Sequence, residues 1–230
     1  QKLEKATLLF KDGKILEVGT SVSIPKNATV IDATGKTIYA SFIDVFSEFG
    51  IEKPQQTFRP TGNFTPQYES SREGYYWNDH VKPEFNAFEN LKYDGKDAKI
   101  LREVGFGTVI SHHNDGIVAG TGLLWTLNDA DNNSTRILQN KVSQHFTFNR
   151  SKFSRQSYPS SLMGSMALIR QIYHDANWYK TGASKTKDLS LENFNANQNL
   201  IQIFNAGDKL NSLRASKIGK EFGINYLIKG

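Results

Sequence analysis

Five histidines and a scatter of carboxylates are the side chains here that could do acid–base or metal chemistry. Cysteine is absent, so thiolate zinc sites, cysteine nucleophiles and disulfide frameworks are excluded together. His112 and His113 are adjacent and end an apolar run, Phe106-Gly107-Thr108-Val109-Ile110-Ser111, that reads as a buried strand. On a strand, neighbouring side chains point to opposite faces, so at most one of the two imidazoles can look inward. The pair offers a general base or a metal ligand on one reading and a polar strand end on the other. His80, His145 and His174 stand alone in sequence and read as structural. Asp115-Gly116 reads as a turn. Gly116, Gly120 and Gly122 do not form a phosphate loop, because no Gly-Lys-Ser/Thr follows and the spacing is wrong for a dinucleotide fingerprint.

The elements that must position these groups can be read from period and punctuation. Ala6 to Phe10 and Ile15 to Val18 flank Asp12-Gly13, a strong hairpin signal. Thr29 to Asp32 and Thr37 to Tyr39, turned by Ala33-Thr34-Gly35-Lys36, extend the expectation to a small antiparallel sheet over residues 1–40. Ser41 to Phe46 is a compact strand. A long loop at about 51–92, rich in Pro, Gly, Asn and Ser, carries aromatics (Phe58, Phe64, Tyr68, Tyr75, Tyr76, Trp77, Phe85, Phe88) and reads as packed by its own side chains. Asp97 to Val104 predicts a helix stopped by Gly105. Leu123 to Leu127 and Val142 to Phe148 read as further strands. Ser157-Tyr158-Pro159 opens a long helix whose buried face is Leu162, Met166, Ile169, Ile172 and Tyr173. Ser190 caps a shorter helix, Leu200 to Phe204 is a strand, Asp208 to Phe222 is a helix closed by Gly223, and Ile224 to Ile228 is the last strand. This alternation predicts crossovers onto a parallel sheet.

Composition narrows the function classes. Of 230 residues, 38% are hydrophobic and 12% aromatic, too many for a disordered chain. The net charge is +5, but the lysines are scattered singly, which argues for a solvated surface and against nucleic-acid binding. No run of apolar residues is long enough to span a bilayer. The chain begins at Gln1 with no leader in view, as expected where an upstream segment has been removed; a periplasmic or secreted address is expected, with a cytoplasmic one as the alternative.

Several of these segments carry a family resemblance. Lys11-Asp12-Gly13-Lys14-Ile15, Val18-Gly19, Ile24-Pro25, Val30-Ile31-Asp32-Ala33 and Gly35-Lys36 resemble the opening of the amidohydrolase superfamily. Gly105-Phe106-Gly107-Thr108-Val109 resembles its second barrel strand, and Asp115 to Gly122 resembles the glycine-rich turn that follows in the imidazolonepropionase-like branch. The Ser157 to Ser165 run resembles the first module of large Bacteroidetes proteins that carry two amidohydrolase modules in tandem. The resemblance implies a small N-terminal β-sandwich part (residues 1–40) and an α/β, TIM-type (β/α) barrel of metal-dependent hydrolases (41–230). The barrel is incomplete, since a full one takes about 250 residues.

It also implies hydrolysis of non-peptide C–N bonds, in amides or cyclic amides, by water activated on zinc or another divalent metal. The family's entry strand reads Pro-Gly-Phe-Ile-Asp-x-His-x-His, whereas this chain has Ala40-Ser41-Phe42-Ile43-Asp44-Val45-Phe46-Ser47-Glu48. The two histidine positions are thus Phe46 and Glu48, and a later ligand position is Asn205. Phenylalanine has no lone pair to give, an amide oxygen suits only hard ions, and one carboxylate is not a zinc site. Asp44 reads as structural. The expectation is therefore a non-catalytic or structural module with no cofactor of its own and His112 and His113 as residual catalytic candidates. Its partner would be the rest of its own barrel or a second module, and its open edges suit an oligomer. The alternatives are an active hydrolase completed by residues outside this chain, and a barrel that holds a small ligand without reacting with it. A native protein ending at Gly230, monomeric and stable, would contradict the incomplete-module reading, and mass spectrometry of the gene product checks it.

Overall fold

The computed structural model describes residues 2–52 and 66–230 and divides the chain into two compact units, Gln1–Ala40 and Ser41–Gly230. Phe58 and Phe64 lie outside the described residues.

In the first unit, strands β1 (Thr7–Lys11) and β2 (Lys14–Gly19) pair antiparallel. Asp12 and Gly13 turn the chain with φ of 51° and 73°, the double positive φ of a type I′ hairpin. The expected second hairpin forms only its turn. Lys36 N donates to Ala33 O (2.9 Å), and Asp32 Oδ1 accepts from the amide (2.9 Å) and hydroxyl (2.6 Å) of Thr34. Residues 29–32 and 37–39 pair with no strand among the described residues, and Ile31 (77%) and Tyr39 (83%) are exposed. The small sheet is therefore two-stranded, because these β-rich runs find no apolar layer to cover them.

The second unit is a six-stranded sheet in the order β3 (Phe42–Ser47), β4 (Phe106–Ser111), β5 (Val118–Thr126), β6 (Ile137–Thr147), β7 (Ile201–Asn205), β8 (Leu227–Lys229). β3 pairs parallel with β4, and β6, β7 and β8 are mutually parallel. β5 is antiparallel to both neighbours, so the expectation of parallel crossovers holds on either side of it and fails at the Leu123–Leu127 run. Residues 112–117 are too few to carry the chain back for a parallel strand, which needs about a dozen. The sheet curls strongly. Flat, its edges would lie about 24 Å apart at the usual strand spacing, yet Lys229 Nζ on β8 is 5.0 Å from the ring centre of Phe46 on β3.

Helices pack on the convex face. α2 (Leu162–Lys180), α3 (Leu189–Ala196) and α4 (Lys209–Phe222) bury Ile172, Tyr173, Phe194 and Ile218 against Phe146 and Phe204 of the sheet. α1 (Gly95–Glu103) covers a second cluster built on Val109, Leu123 and Trp125. The helix starts differ from those expected by a few residues. α2 begins after Ser161, whose hydroxyl accepts from Gly164 N (3.1 Å), rather than at Ser157. α3 is capped by Asp188, which accepts from Leu191 N (2.9 Å). Ser190 lies inside α3, where its hydroxyl donates to Glu84 (2.8 Å) and accepts from Tyr76 N (3.1 Å). The last strand starts only at Leu227, because Ile224 N is still held by Gly219 O of α4 (2.8 Å).

From residue 66 onward the long loop is an ordered layer with Tyr76, Asp79, His80 and Val81 buried. Arg72 pairs with Glu84, and Gln156 reaches in to hold Asp79 N (2.7 Å) and Trp77 O (2.9 Å).

Candidate functional site

The concave face of the sheet collects one side chain from each pleat. The parallel strands alternate, so Phe146, Phe204 and Val109 face the helices while Phe46, Ser143, His145 and Asn205 face the inside of the curl. The ladder between β3 and β4 runs one step past β4, with His112 N donating to Ser47 O (2.9 Å). This sets His112 on the inner face, beside Phe46.

The rings of His112 and His145 stack there, with centroids 3.7 Å apart and planes 4° from parallel. Phe46 covers them, 4.2 Å from His112 and 5.7 Å from His145. The two histidines belong to β4's end and to β6, with β5 between them. Gly122 of β5 makes the contact possible. It pairs with Ser143 of β6 and follows in register from the Ser111–Leu123 pair, so it lies under the rings. A Cβ on Gly122 would sit 2.5 Å from Ser143 Oγ and 2.8 Å from His145 Nε2. Gly120 and Gly116 have the same kind of reason. Their φ are positive, and a Cβ would meet Phe85 O at 2.1 Å and His80 O at 2.8 Å.

Both histidines of the stack are almost wholly buried (1% and 2% exposed). His145 Nε2 bonds Ser143 Oγ (2.8 Å), while His145 Nδ1 and both nitrogens of His112 have no hydrogen-bond partner among the described residues. Burial disfavours the charged form, and it pulls the His112 pKa down to about 4 despite the opposing pull of the Glu48 carboxylate. Burial, with His112 alongside, lowers His145 well below the ordinary histidine range. Each neutral imidazole nitrogen left bare costs about 1–3 kcal/mol.

His113 turns the other way and packs on Phe85 (4.6 Å). Glu48 accepts from Asn114 Nδ2 (2.9 Å). Glu48, His112, His113, Asn114 and Asp115 line a small cavity of about 50 Å³ at the strand ends. Asn205, at the end of β7, stands in register between Thr147 and Lys229. Asp44 Oδ1 accepts from Phe46 N (3.0 Å), fixing the strand end. His174 is exposed on α2 and meets Phe222 edge-on (5.1 Å).

The fit of a divalent metal to Phe46, Glu48 and their neighbours can be tested on geometry. Zinc takes donors whose lone pairs converge, typically three from the protein. Imidazole lone pairs lie in the ring plane, and those of His112 and His145 lie in two parallel planes that do not meet at one ion. Phe46 adds no donor, and no group of three or more His, Asp or Glu side chains converges among the described residues. The side chains at these positions therefore do not fit the ion.

Asp115 is more than the turn expected of it. It is 6% exposed and accepts from Lys82 Nζ (2.9 Å), Lys152 N (2.8 Å) and Ser151 Oγ. Burial alone would raise its pKa, but the Lys82 charge and these donors overcome burial and leave the carboxyl below its ordinary value. Ser151 beside Lys82 and Asp115 suggests a hydrolytic triad, yet its oxygen is fully engaged. It donates to Asp115 and accepts from Lys82 Nζ (3.0 Å) and Phe153 N (3.2 Å), leaving no lone pair to attack. His80 is likewise spent, accepting from Ser151 N (3.0 Å) at Nδ1 and meeting Gln156 O (3.1 Å) at Nε2. Asp115, Lys82, Ser151 and His80 together lock three loops at the strand ends. Neither this lock nor the stacking partner of His112 was evident from sequence. The one usable signal was Ser143-Gln144-His145, whose alternation puts Ser143 and His145 on one face.

No family model matches the sequence, and no curated protein matches it. The fold is similar to that of the crystal structure of an amidohydrolase from Thermotoga maritima MSB8, with a TM-score of 0.71 and 21% sequence identity. The match covers 96% of this chain and 58% of that one, so this chain spans little more than half the length of the protein it resembles. The similarity establishes a shared fold, with the curled six-stranded sheet and the small antiparallel sheet described above. Among the described residues no helix is long and apolar enough to cross a membrane.

Proposed function

We propose that this chain is part of an amidohydrolase-like module of the imidazolonepropionase-like branch, the first of two in tandem. In this reading its TIM-type barrel has lost the metal site and serves a structural or docking role. The observation that carries the proposal is the Phe46–His112–His145 stack. It fills with ring faces the place on the inner sheet where the resemblance puts imidazole donors. Without a metal the segment has no means of lowering a water pKa, so it would not hydrolyse a C–N bond on its own.

The partner in this reading is the remainder of the barrel or the second module. The edges of the described sheet support it. Phe42 (64% exposed), Ile43 and Val45 on β3 and Leu227 on β8 carry apolar side chains with no covering layer among the described residues. A periplasmic or secreted location completes the proposal.

A screen of simple amides, cyclic amides and cyclic ureides, with and without added zinc, tests it. The proposal expects no turnover above the metal-only blank. Zinc-dependent hydrolysis that vanishes in Glu48→Gln would establish the active-hydrolase reading instead.

A further inference from the structure

Two neutral imidazoles are pressed face to face, so a proton on either sets a charge against the other ring. The stack joins the end of β4 to β6 across a glycine, and it is the only ring contact between those two strands among the described residues. The groups that face it are few. From β3 come Phe46, the Glu48 carboxylate, and Asp44, whose carboxylate is already bound to Phe46 N. His113, turned to the other face just past β4, acts on His112 only through its charge; β6 gives Ser143, and β8 gives Lys229, whose ammonium lies over the Phe46 ring. β5 contributes Gly122, and β7 the neutral Ile203 and Asn205. The Glu48 carboxylate and the Ser47 carbonyl would welcome a proton on His112, though burial outweighs both. The other ring and His113, when charged, oppose it.

We propose that the His112–His145 stack is an acid-operated latch, in which uptake of one proton by either ring parts the pair and loosens β4 and β6 at their C-terminal ends. Loosening there would widen the small cavity that Glu48 and His112 line at the strand ends. The latch rests on the proposed function in one respect, that no metal holds these rings, so its test is run in chelator.

The sign of the effect follows from linkage. Both imidazoles are neutral in the folded chain and take up protons near pH 6.5 when unfolded, so stability is full above that pH and falls as pH drops. For His112, with a folded value about 4, the folding constant should fall about twentyfold between pH 7 and pH 5.

Two measurements on the chain test this. Imidazole ¹⁵N NMR across pH 8 to 4 should show His112 and His145 neutral at pH 6, while amide exchange at the ends of β4 and β6 quickens on acidification before exchange elsewhere in the sheet. Urea unfolding of wild type and of the non-titrating His112→Phe, His145→Gln double variant should show a pH 7-to-5 loss at least tenfold smaller in the variant. His80 and the carboxylates act equally in both proteins and cancel in the comparison. Titration of either ring near pH 6.5 with the sheet amides still protected would overturn the latch, as would equal acid losses in the two proteins. If the variant does not fold, the NMR titration of wild type decides alone. Should the titration change when zinc replaces chelator, the functional reading fails and the latch is judged on the chelated sample.

Discussion

Replacing Gly122 with alanine puts a methyl group 2.5 Å from Ser143 Oγ, 2.8 Å from His145 Nε2 and 3.0 Å from Ile110 Cγ2. The first two contacts are closer than carbon and a polar atom tolerate, and both neighbours are fully buried. Overpacking of this kind costs about 1–3 kcal/mol. The methyl also pries apart the Ser143–His145 hydrogen bond (2.8 Å), and leaving those groups unpaired adds about 1 kcal/mol or more. The expected loss is about 2–4 kcal/mol, read as a lowered urea midpoint at unchanged slope. Ser143→Ala alone should cost about 1–2 kcal/mol by stripping His145 Nε2 of its partner. In Gly122→Ala, Ser143→Ala the nearest clashing atom is gone, so the double variant should be more stable than the sum of the singles predicts, by about 1 kcal/mol or more. Additivity within about 0.5 kcal/mol, or a Gly122→Ala protein as stable as wild type, would refute the claim that glycine is required beneath the stack.

Asp115→Asn removes the charge that Lys82 faces and weakens the lock among Lys82, Ser151 and Lys152. A loss of about 2–4 kcal/mol is expected in chemical denaturation at pH 7. The Asp115 carboxyl is held below its unfolded value, so the gap between the proteins should persist above pH 4 and close as pH falls through the folded pKa. Asp188→Ala deletes the α3 cap and should cost about 1 kcal/mol, with amide exchange quickening first at Leu191. Trp125→Phe abandons the indole bond to Ser111 Oγ (2.8 Å) and leaves a gap in the α1-side cluster. About 2–3 kcal/mol should be lost, and Ser111→Ala should recover little of it.

Elements with a local cause were legible in the sequence. The Asp12-Gly13 hairpin, the strand at Phe106 to Ser111 and the helix closed by Gly223 (φ 70°) each follow from residues within a few positions of one another. The direction of β5 was not read, although the shortness of residues 112–117 could have given it. The unpaired runs at 29–32 and 37–39 show the limit of strand propensity, which names a residue that suits a sheet without supplying the neighbour. At the candidate site, period-2 alternation allowed only one of His112 and His113 to face inward, and the structure turns His112 in. That His145 would meet it depends on two pairings through β5 and on a glycine between them, which no spacing of histidines encodes. The partners of Asp115 were hidden for a similar reason, since Lys82 and Ser151 come to it from 33 and 36 residues away.

Zinc titration by calorimetry at pH 7.5, on protein first stripped with chelator, tests the central reading most directly. Ring faces at Phe46, His112 and His145 in place of convergent lone pairs predict no stoichiometric heat and no change in the imidazole ¹⁵N shifts of the stack. One equivalent of zinc bound tightly, with those shifts moving to metal-bound values, would contradict it.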